Sequence, residues 1–238
     1  MEKKITIIIP CYNEIHTIEK VIKKIRKIDI EKQIILVDDN SNDGSRELIQ
    51  EKLINDVDLF LKHDRNYGKG KCIITAKPFI LNELIIIQDA DLEYNPENYH
   101  DLVEPILNKR TNVVYGSRVL KRENYKKQIN FISSFRIFGN FVLTKISNLI
   151  NNQNLTDAHT CYKVFTKNVF DNIVLKEEGF NFCPEITTKI ANLGERIEEV
   201  PIDYYGRSKN EGKKIRFWHA IQAVYTLFKY RLINDRNK

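Results

Sequence analysis

The chain predicts a doubly wound α/β fold, with a largely parallel sheet covered by helices on both faces, and three observations carry that expectation. Short aliphatic runs alternate with segments of helical periodicity. The runs are apolar at every position rather than at every second one, which marks strands buried on both faces. Polar residues gather just after each run, where an open α/β sheet presents loops and helix N-termini to a ligand.

In chain order, strands are expected at 5–9, 34–37, 57–61, 84–87 and 112–115, from runs such as Ile5-Thr6-Ile7-Ile8-Ile9 and Leu84-Ile85-Ile86-Ile87. Between them, 15–28, 45–53, 69–81 and 96–107 carry apolar residues at helical spacing, which completes a βαβα pattern. Beyond Arg118 the alternation breaks. Phe131, Phe135, Phe138, Phe141, Val142, Ile146 and Leu149 mark one or two amphipathic helices with only basic and neutral polar residues opposite. A further helix is expected at 184–192, with Pro184 in its first turn, then a strand at 197–204 and a last amphipathic helix at 215–232. The sequence shows no internal repeat, low-complexity tract or flexible linker.

With 238 residues, 42% of them hydrophobic, the chain can bury a sizeable core. The expected division is a catalytic domain over 1–205 and a basic amphipathic tail over 206–238. Cys11, Cys72, Cys161 and Cys183 lack the close spacing of zinc or redox motifs and read as reduced thiols of a cytoplasmic protein. The apolar run in the first ten residues is about six long, too short for a secretory signal, and no stretch approaches the roughly 20 residues of a membrane span. A soluble or peripheral protein is expected, with the cytoplasmic face of a membrane as one location. The net charge of +6 is unevenly spread: no acid lies between Glu123 and Asp157, and from Tyr205 onward nine Lys or Arg face only Glu211 and Asp235. Phosphates, lipid headgroups or nucleic acid would each answer such a field.

The polar residues at the strand ends carry the chemistry. The first run ends in Pro10-Cys11-Tyr12-Asn13-Glu14, the second in Asp38-Asp39-Asn40-Ser41-Asn42-Asp43-Gly44 and the third leads to His63 and Gly68-Lys69-Gly70. The fourth ends in Gln88-Asp89-Ala90-Asp91-Leu92-Glu93 and the fifth in Gly116-Ser117-Arg118. Asp89 and Asp91, two apart in extended chain, point the same way, with Glu93 next on that side. A carboxylate set without His or Cys suits Mg or Mn. Asp38-Asp39 after an apolar run needs a partner to offset desolvation, and a base or ribose edge would serve. Helix capping is the competing reading there, and the better one for Asp43. Gly68-Lys69-Gly70 fits a phosphate approach and a plain turn equally well. Arg118, Arg207, Lys209, Lys213 and Lys214 are candidates for phosphate contacts.

In order and spacing, Ile9 to Glu14, Val37 to Ser41, Asp89 to Glu93 and Gly116 to Arg118 resemble glycosyltransferase family 2, and more narrowly its dolichol-phosphate mannose synthase and polyprenyl-phosphate glycosyltransferase branch. Asp157 to Lys163, Pro184-Glu185-Ile186, Glu199 to Ile202, Arg207 and Glu211 to Ile215 support the narrower match. The resemblance implies the A-type, Rossmann-like glycosyltransferase fold and an inverting transfer. It implies that Pro10, Tyr12, Glu14, Val37, Asp39, Asp89 and Ala90 hold the nucleotide sugar, that Asp89, Asp91 and Glu93 hold metal and diphosphate, and that Arg118, Arg207, Lys163 and Lys213 handle phosphate groups. Glu93 stands where the mannose enzymes often have Gln, and Thr160-Cys161-Tyr162-Lys163 replaces a Ser-Gly-Phe-Arg type of run.

The expected reaction moves a hexose from a UDP- or GDP-sugar to a polyprenyl phosphate, with Asp91, Arg118 and Arg207 closest to the chemistry. The second half of the resemblance favours UDP. A saccharide hydroxyl acceptor is the near alternative. A sugar-phosphate nucleotidyltransferase would want a glycine-rich loop after the first strand, where Pro10 to Glu14 stands. A nucleic-acid module would interleave aromatic and basic residues on strands, which this chain does not do. The acid-free segment 124–156 and the last helix are candidates for a membrane surface or for a homodimer contact.

Overall fold

The computed structural model describes residues 3–121, 131–206 and 217–232. Strands β1 (Lys4–Cys11), β2 (Glu31–Asp38), β3 (Leu59–Lys62), β4 (Leu84–Ile87), β5 (Val113–Ser117), β6 (Lys163–Thr166) and β7 (Ile197–Pro201) form one sheet in the order β3-β2-β1-β4-β6-β5-β7. All neighbours are parallel except β6, which runs antiparallel between β4 and β5. Ile5, Ile7, Ile8 and Ile9 of β1 and Ile34 to Val37 of β2 have no solvent exposure, as expected of strands covered on both faces. At about 1.5–3 kcal/mol for each fully buried large aliphatic side chain, these central strands anchor the core. Thr6, polar in this run, is satisfied by donating to Gln33 Oε1 at 2.8 Å.

Helices α1 (Ile18–Lys27), α2 (Ser45–Leu48), α3 (Lys69–Ala76) and α4 (Tyr99–Leu107) connect the first five strands. α1 buries Ile18, Val21, Ile22 and Ile25 and turns its lysines outward. The helix expected over 45–53 changes character at Ile49, where a π turn takes over to Leu53. The one expected over 69–81 stops at Ala76 and tightens into a 3-10 turn at Lys77–Phe79 around Pro78. Further on, α5 (Phe131–Asn151) is one continuous helix, α6 (Lys167–Asp171) is a short turn after β6, α7 (Phe182–Asn192) holds Pro184 in its first turn, and α8 (Phe217–Leu232) packs against α5 and α7.

β6 is the element the periodicity did not reveal. It has four residues, of which only Val164 and Phe165 are apolar, flanked by Lys163 and Thr166. Because it runs against its neighbours, its leading end pairs at Tyr115↔Lys163, toward the carboxyl end of β5. The segment before it, 157–162, is thereby delivered to the same edge as the parallel strand ends. The four cysteines are free thiols.

Candidate active site

The loops after β1 and β2 are laced together. Asn13, at φ 56°, exchanges two hydrogen bonds with Asn42, and its backbone N–H donates to Ser41 Oγ at 3.0 Å. The Glu14 N–H donates to Ser45 Oγ at 2.8 Å and the Ile15 N–H to Asp43 Oδ2 at 3.1 Å. Asp43 also accepts from the Ser45 N–H at 2.9 Å, but the N-cap of α2 is Gly44, so Asp43 closes the turn just before the helix rather than capping it as expected. Pro10 and Tyr12 line this rim half-buried, and the Glu14 carboxylate accepts from Thr17 Oγ1 at 2.7 Å.

Asp38 and Asp39 are both buried, and protein groups partner them. Asp38 accepts from Arg46 Nε at 2.6 Å. Asp39 meets His63 Nδ1 at 2.7 Å and accepts the backbone N–H groups of Tyr67 (2.9 Å) and Gly68 (2.7 Å). Asp39 thus organises the loop that opens α3, and these protein groups offset the desolvation for which the sequence suggested a base or ribose edge. His63 Nε2 in turn meets Thr75 Oγ1 at 2.9 Å. Among the described residues, Asp39, His63 and Cys72 form the one group of three possible metal ligands within 4.8 Å of one another. Its members are buried and Asp39 and His63 are already hydrogen-bonded, which marks a structural knot rather than an ion site.

At the β4 end, Gln88 is a buried hub. Its Oε1 accepts from Tyr99 Oη and Tyr162 Oη, each at 2.7 Å, and its Nε2 donates to the Asp89 carbonyl at 2.9 Å. Lys69, the first residue of α3, sets its ammonium on Asp89 Oδ1 and lies 3.1 Å from Cys161 Sγ. Burial on its own would raise the Asp89 carboxyl, but the Lys69 ammonium overrides it and holds the pKa below the usual carboxylate value. Asp91 Oδ1 accepts from the Glu93 N–H at 3.0 Å, and Glu93 Oε2 accepts from Tyr204 Oη at 2.9 Å. Asp89, Asp91 and Glu93 share one edge without closing into a three-ligand cluster.

Arg118, at the β5 end, is clamped by Asp157: Nε donates at 2.6 Å and Nη2 at 2.7 Å, while the guanidinium stacks 5.1 Å from the Tyr204 ring centroid. Burial would raise the Asp157 carboxyl, yet the guanidinium brings it down to about 2. Glu199 fixes the same turn by accepting from the backbone N–H groups of Thr156 (2.7 Å) and Asp157 (2.9 Å).

Tyr12, Glu14, Asp39, Lys69, Asp89, Ala90, Asp91, Glu93 and Arg118 therefore follow the carboxyl ends of the parallel strands β1 to β5 of one sheet, with Pro10 near the end of β1 and Val37 buried in β2. Lys163 is a correction. It is fully buried, donates to the carbonyls of Ala158 and Thr160, and lies 4.3 Å from the Tyr115 ring centroid, so it ties down the 158–163 turn rather than meeting a phosphate. Arg207 and Lys213 lie outside the described residues. The sequence placed His63 and Gln88 at strand ends and Asp157 in a matching motif but gave no sign of what they do: His63 partners Asp39, Gln88 ties Tyr99 and Tyr162, and Asp157 clamps Arg118. Gln88, polar at the end of a four-residue aliphatic run, was the one with a legible signal.

The fold belongs to the sugar-transferring enzymes. It superposes on glucosyl-3-phosphoglycerate synthase from Mycobacterium tuberculosis, solved with Mn2+, UDP and phosphoglyceric acid, with a TM-score of 0.72 at 16% identity, covering 96% of this chain and 78% of that one. This is the expected A-type glycosyltransferase fold. Residues 6–174 match the profile of Glycosyl transferase family 2, and the chain belongs to that family and is a glycosyltransferase. It is 26% identical over 216 residues to undecaprenyl-phosphate mannosyltransferase of Micrococcus luteus, covering 88% of this chain and 87% of that protein. It is 27% identical over 219 residues to UDP-N-acetylglucosamine--dolichyl-phosphate N-acetylglucosaminyltransferase of Methanococcus voltae, covering 84% and 85%. Dolichol-phosphate mannosyltransferase of Pyrococcus furiosus is 27% identical over 243 residues, covering 98% of this chain and 66% of that protein.

Proposed function

We propose that this enzyme transfers a hexose from a nucleotide diphosphate sugar, UDP-linked by the resemblance of its second half, to a polyprenyl phosphate with inversion at the anomeric carbon. The observation that carries the reading is the β4 end, where Asp89, Asp91 and Glu93 follow one parallel strand and Tyr204 bridges Glu93 to the clamped Arg118 at the end of another. The three relatives named above, each titled as acting on a lipid phosphate, support the acceptor.

The carboxylate set fits a hard divalent cation, Mg or Mn, and Asp89 already carries a cation in the form of the Lys69 ammonium. Asp89, Asp91 and Glu93 would hold the metal, which when bound supplies electrostatic stabilisation to the departing diphosphate. The rim of Pro10, Tyr12 and Glu14 borders the nucleotide, and Asp39 keeps the 63–68 loop in shape around it. A lipid phosphate oxygen is already ionised at neutral pH, so attack needs no general base. That oxygen bonds to the anomeric carbon from the face opposite the leaving group, the carbon–diphosphate oxygen bond breaks, and nucleoside diphosphate departs. Arg118 aims its charge at the site because Asp157 fixes two of its N–H donors. Arg207 and Lys213 are proposed as further phosphate partners, and the apolar faces of α5 and α8 as the surface that meets the membrane.

Transfer of radiolabelled hexose from UDP- and GDP-sugars to polyprenyl phosphate, resolved by organic extraction, tests this. Asp91→Asn is expected to slow transfer at least about 100-fold, as expected for loss of a charge acting on the transition state, and a chelator should abolish it. Unchanged turnover in Asp91→Asn, or label found only on added oligosaccharide, overturns the proposal.

A further inference from the structure

Lys69 occupies the carboxylate that a divalent cation would need. Its ammonium is paired with Asp89 Oδ1 at a place where the two side chains are 15% and 26% exposed, too enclosed for salt to screen the pair fully. The backbone on either side of Lys69 cannot withdraw. Asp39 grips the N–H groups of Tyr67 and Gly68, and the Lys71 N–H donates to the Glu178 carbonyl at 2.9 Å. Gly70 passes so close to 177–178 that an added Cβ would lie 2.1 Å from the Glu177 carbonyl oxygen. Only the flexible four-carbon stem of Lys69 is able to move.

We propose that Lys69 is a resident counter-ion which the divalent cation displaces from Asp89, and that the donor's diphosphate then receives the displaced ammonium, coupling metal and donor binding. This rests on the metal and donor reading above. A dication and an ammonium on one carboxylate repel, so metal alone binds against the cost of expelling Lys69. The diphosphate removes that cost by giving the ammonium a new anion. Because linkage is reciprocal, the factor by which nucleotide tightens metal equals the factor by which metal tightens nucleotide. The sequence left Gly68-Lys69-Gly70 divided between a phosphate approach and a turn; here the turn's rigidity makes the lysine's exchange the available movement.

The test uses the full chain and Mn2+, read by the electron paramagnetic resonance of the free ion, with and without UDP. Lys69→Met is expected to bind Mn2+ alone more tightly than the parent, within the roughly fivefold to hundredfold range usual for coupled sites, and to lose most of the further tightening by UDP. Lys69→Arg keeps the charge and should stay near the parent. In the parent protein itself, reductive methylation of Lys69 followed by mass spectrometry should rise with Mn2+ alone and fall again with Mn2+ and UDP, which decides the matter even if Lys69→Met fails to fold. Mn2+ affinity no higher in Lys69→Met, or Lys69 labelling indifferent to Mn2+, overturns the exchange while Mn-dependent transfer would leave the parent reading standing. Absence of both Mn2+ binding and transfer overturns the two together.

Discussion

His159 is held neutral by its surroundings, and that predicts a loss of stability in mild acid. Its Nε2 is buried without a hydrogen-bond partner, and burial, then the nearby Lys163 ammonium, lower its pKa to about 4. In the unfolded chain the imidazole titrates near 6.5, so as pH falls the unfolded state takes up its proton first. Stability is therefore intact above about pH 6.5 and is lost progressively down to about pH 4. For a ring only partly buried the loss should be about 1–2 kcal/mol. Melting temperatures at pH 7 and pH 4.5 check this: the drop between them should shrink in His159→Gln, and an equal drop in both proteins would show that another group governs the transition. Asp157, held near 2 by Arg118, titrates below this window and does not obscure it.

On the scale of elements, the loop from β3 into α3 carries the site's rigidity, and a single methyl group tests it. Gly70→Ala would place Cβ 2.1 Å from the Glu177 carbonyl oxygen and 3.0 Å from Phe182 Cβ, neither of which is the free end of a flexible side chain. Overpacking of this kind costs about 1–3 kcal/mol, or roughly 2–12 °C in Tm for a chain of this size. Calorimetry should show that loss together with weakened nucleotide affinity, since a shifted 68–70 backbone carries the Lys69 ammonium away from the diphosphate it is proposed to receive. An unchanged Tm would mean that 177–179 yields freely. The parallel strands and their polar ends were legible in the sequence because buried aliphatic runs and post-strand acids are local signals. β6 was not, since Lys163 and Thr166 mask a two-residue apolar centre and its place in the sheet is set by long-range pairing. The same limit hid the partners of Asp39: the sequence shows a costly acid, but only the fold shows that His63 and two backbone N–H groups offset its burial.

At the scale of the whole molecule, the covered sheet contrasts with one apolar surface left to solvent. α5 exposes Ile137, Phe138, Phe141, Val142 and Leu149, and α8 beside it exposes Ile221, Tyr225, Phe228 and Leu232, with Phe138 at 63% and Tyr225 at 69%. Neither helix contains an acid, and their charges are Arg136, Lys145, Lys229 and Arg231. Among the described residues no helix is long and apolar enough to cross a membrane. Aromatic rings set among basic residues suit the boundary between anionic headgroups and acyl chains, which is where a polyprenyl phosphate presents its phosphate. Each aromatic side chain transferred from water contributes about 1.5–3 kcal/mol, so removing four should all but abolish binding. A variant with Phe138, Phe141, Tyr225 and Phe228 replaced by Ser is expected to lose co-sedimentation with phosphatidylglycerol vesicles while keeping its affinity for UDP and Mn2+, because all four are exposed on α5 and α8 and none belongs to a strand-end loop. The parent should bind those vesicles more weakly in high salt and bind phosphatidylcholine vesicles less well, as the basic residues require. If the variant sediments with vesicles like the parent but changes its oligomeric state, this surface joins two copies of the chain and the proposed lipid acceptor must approach from another side.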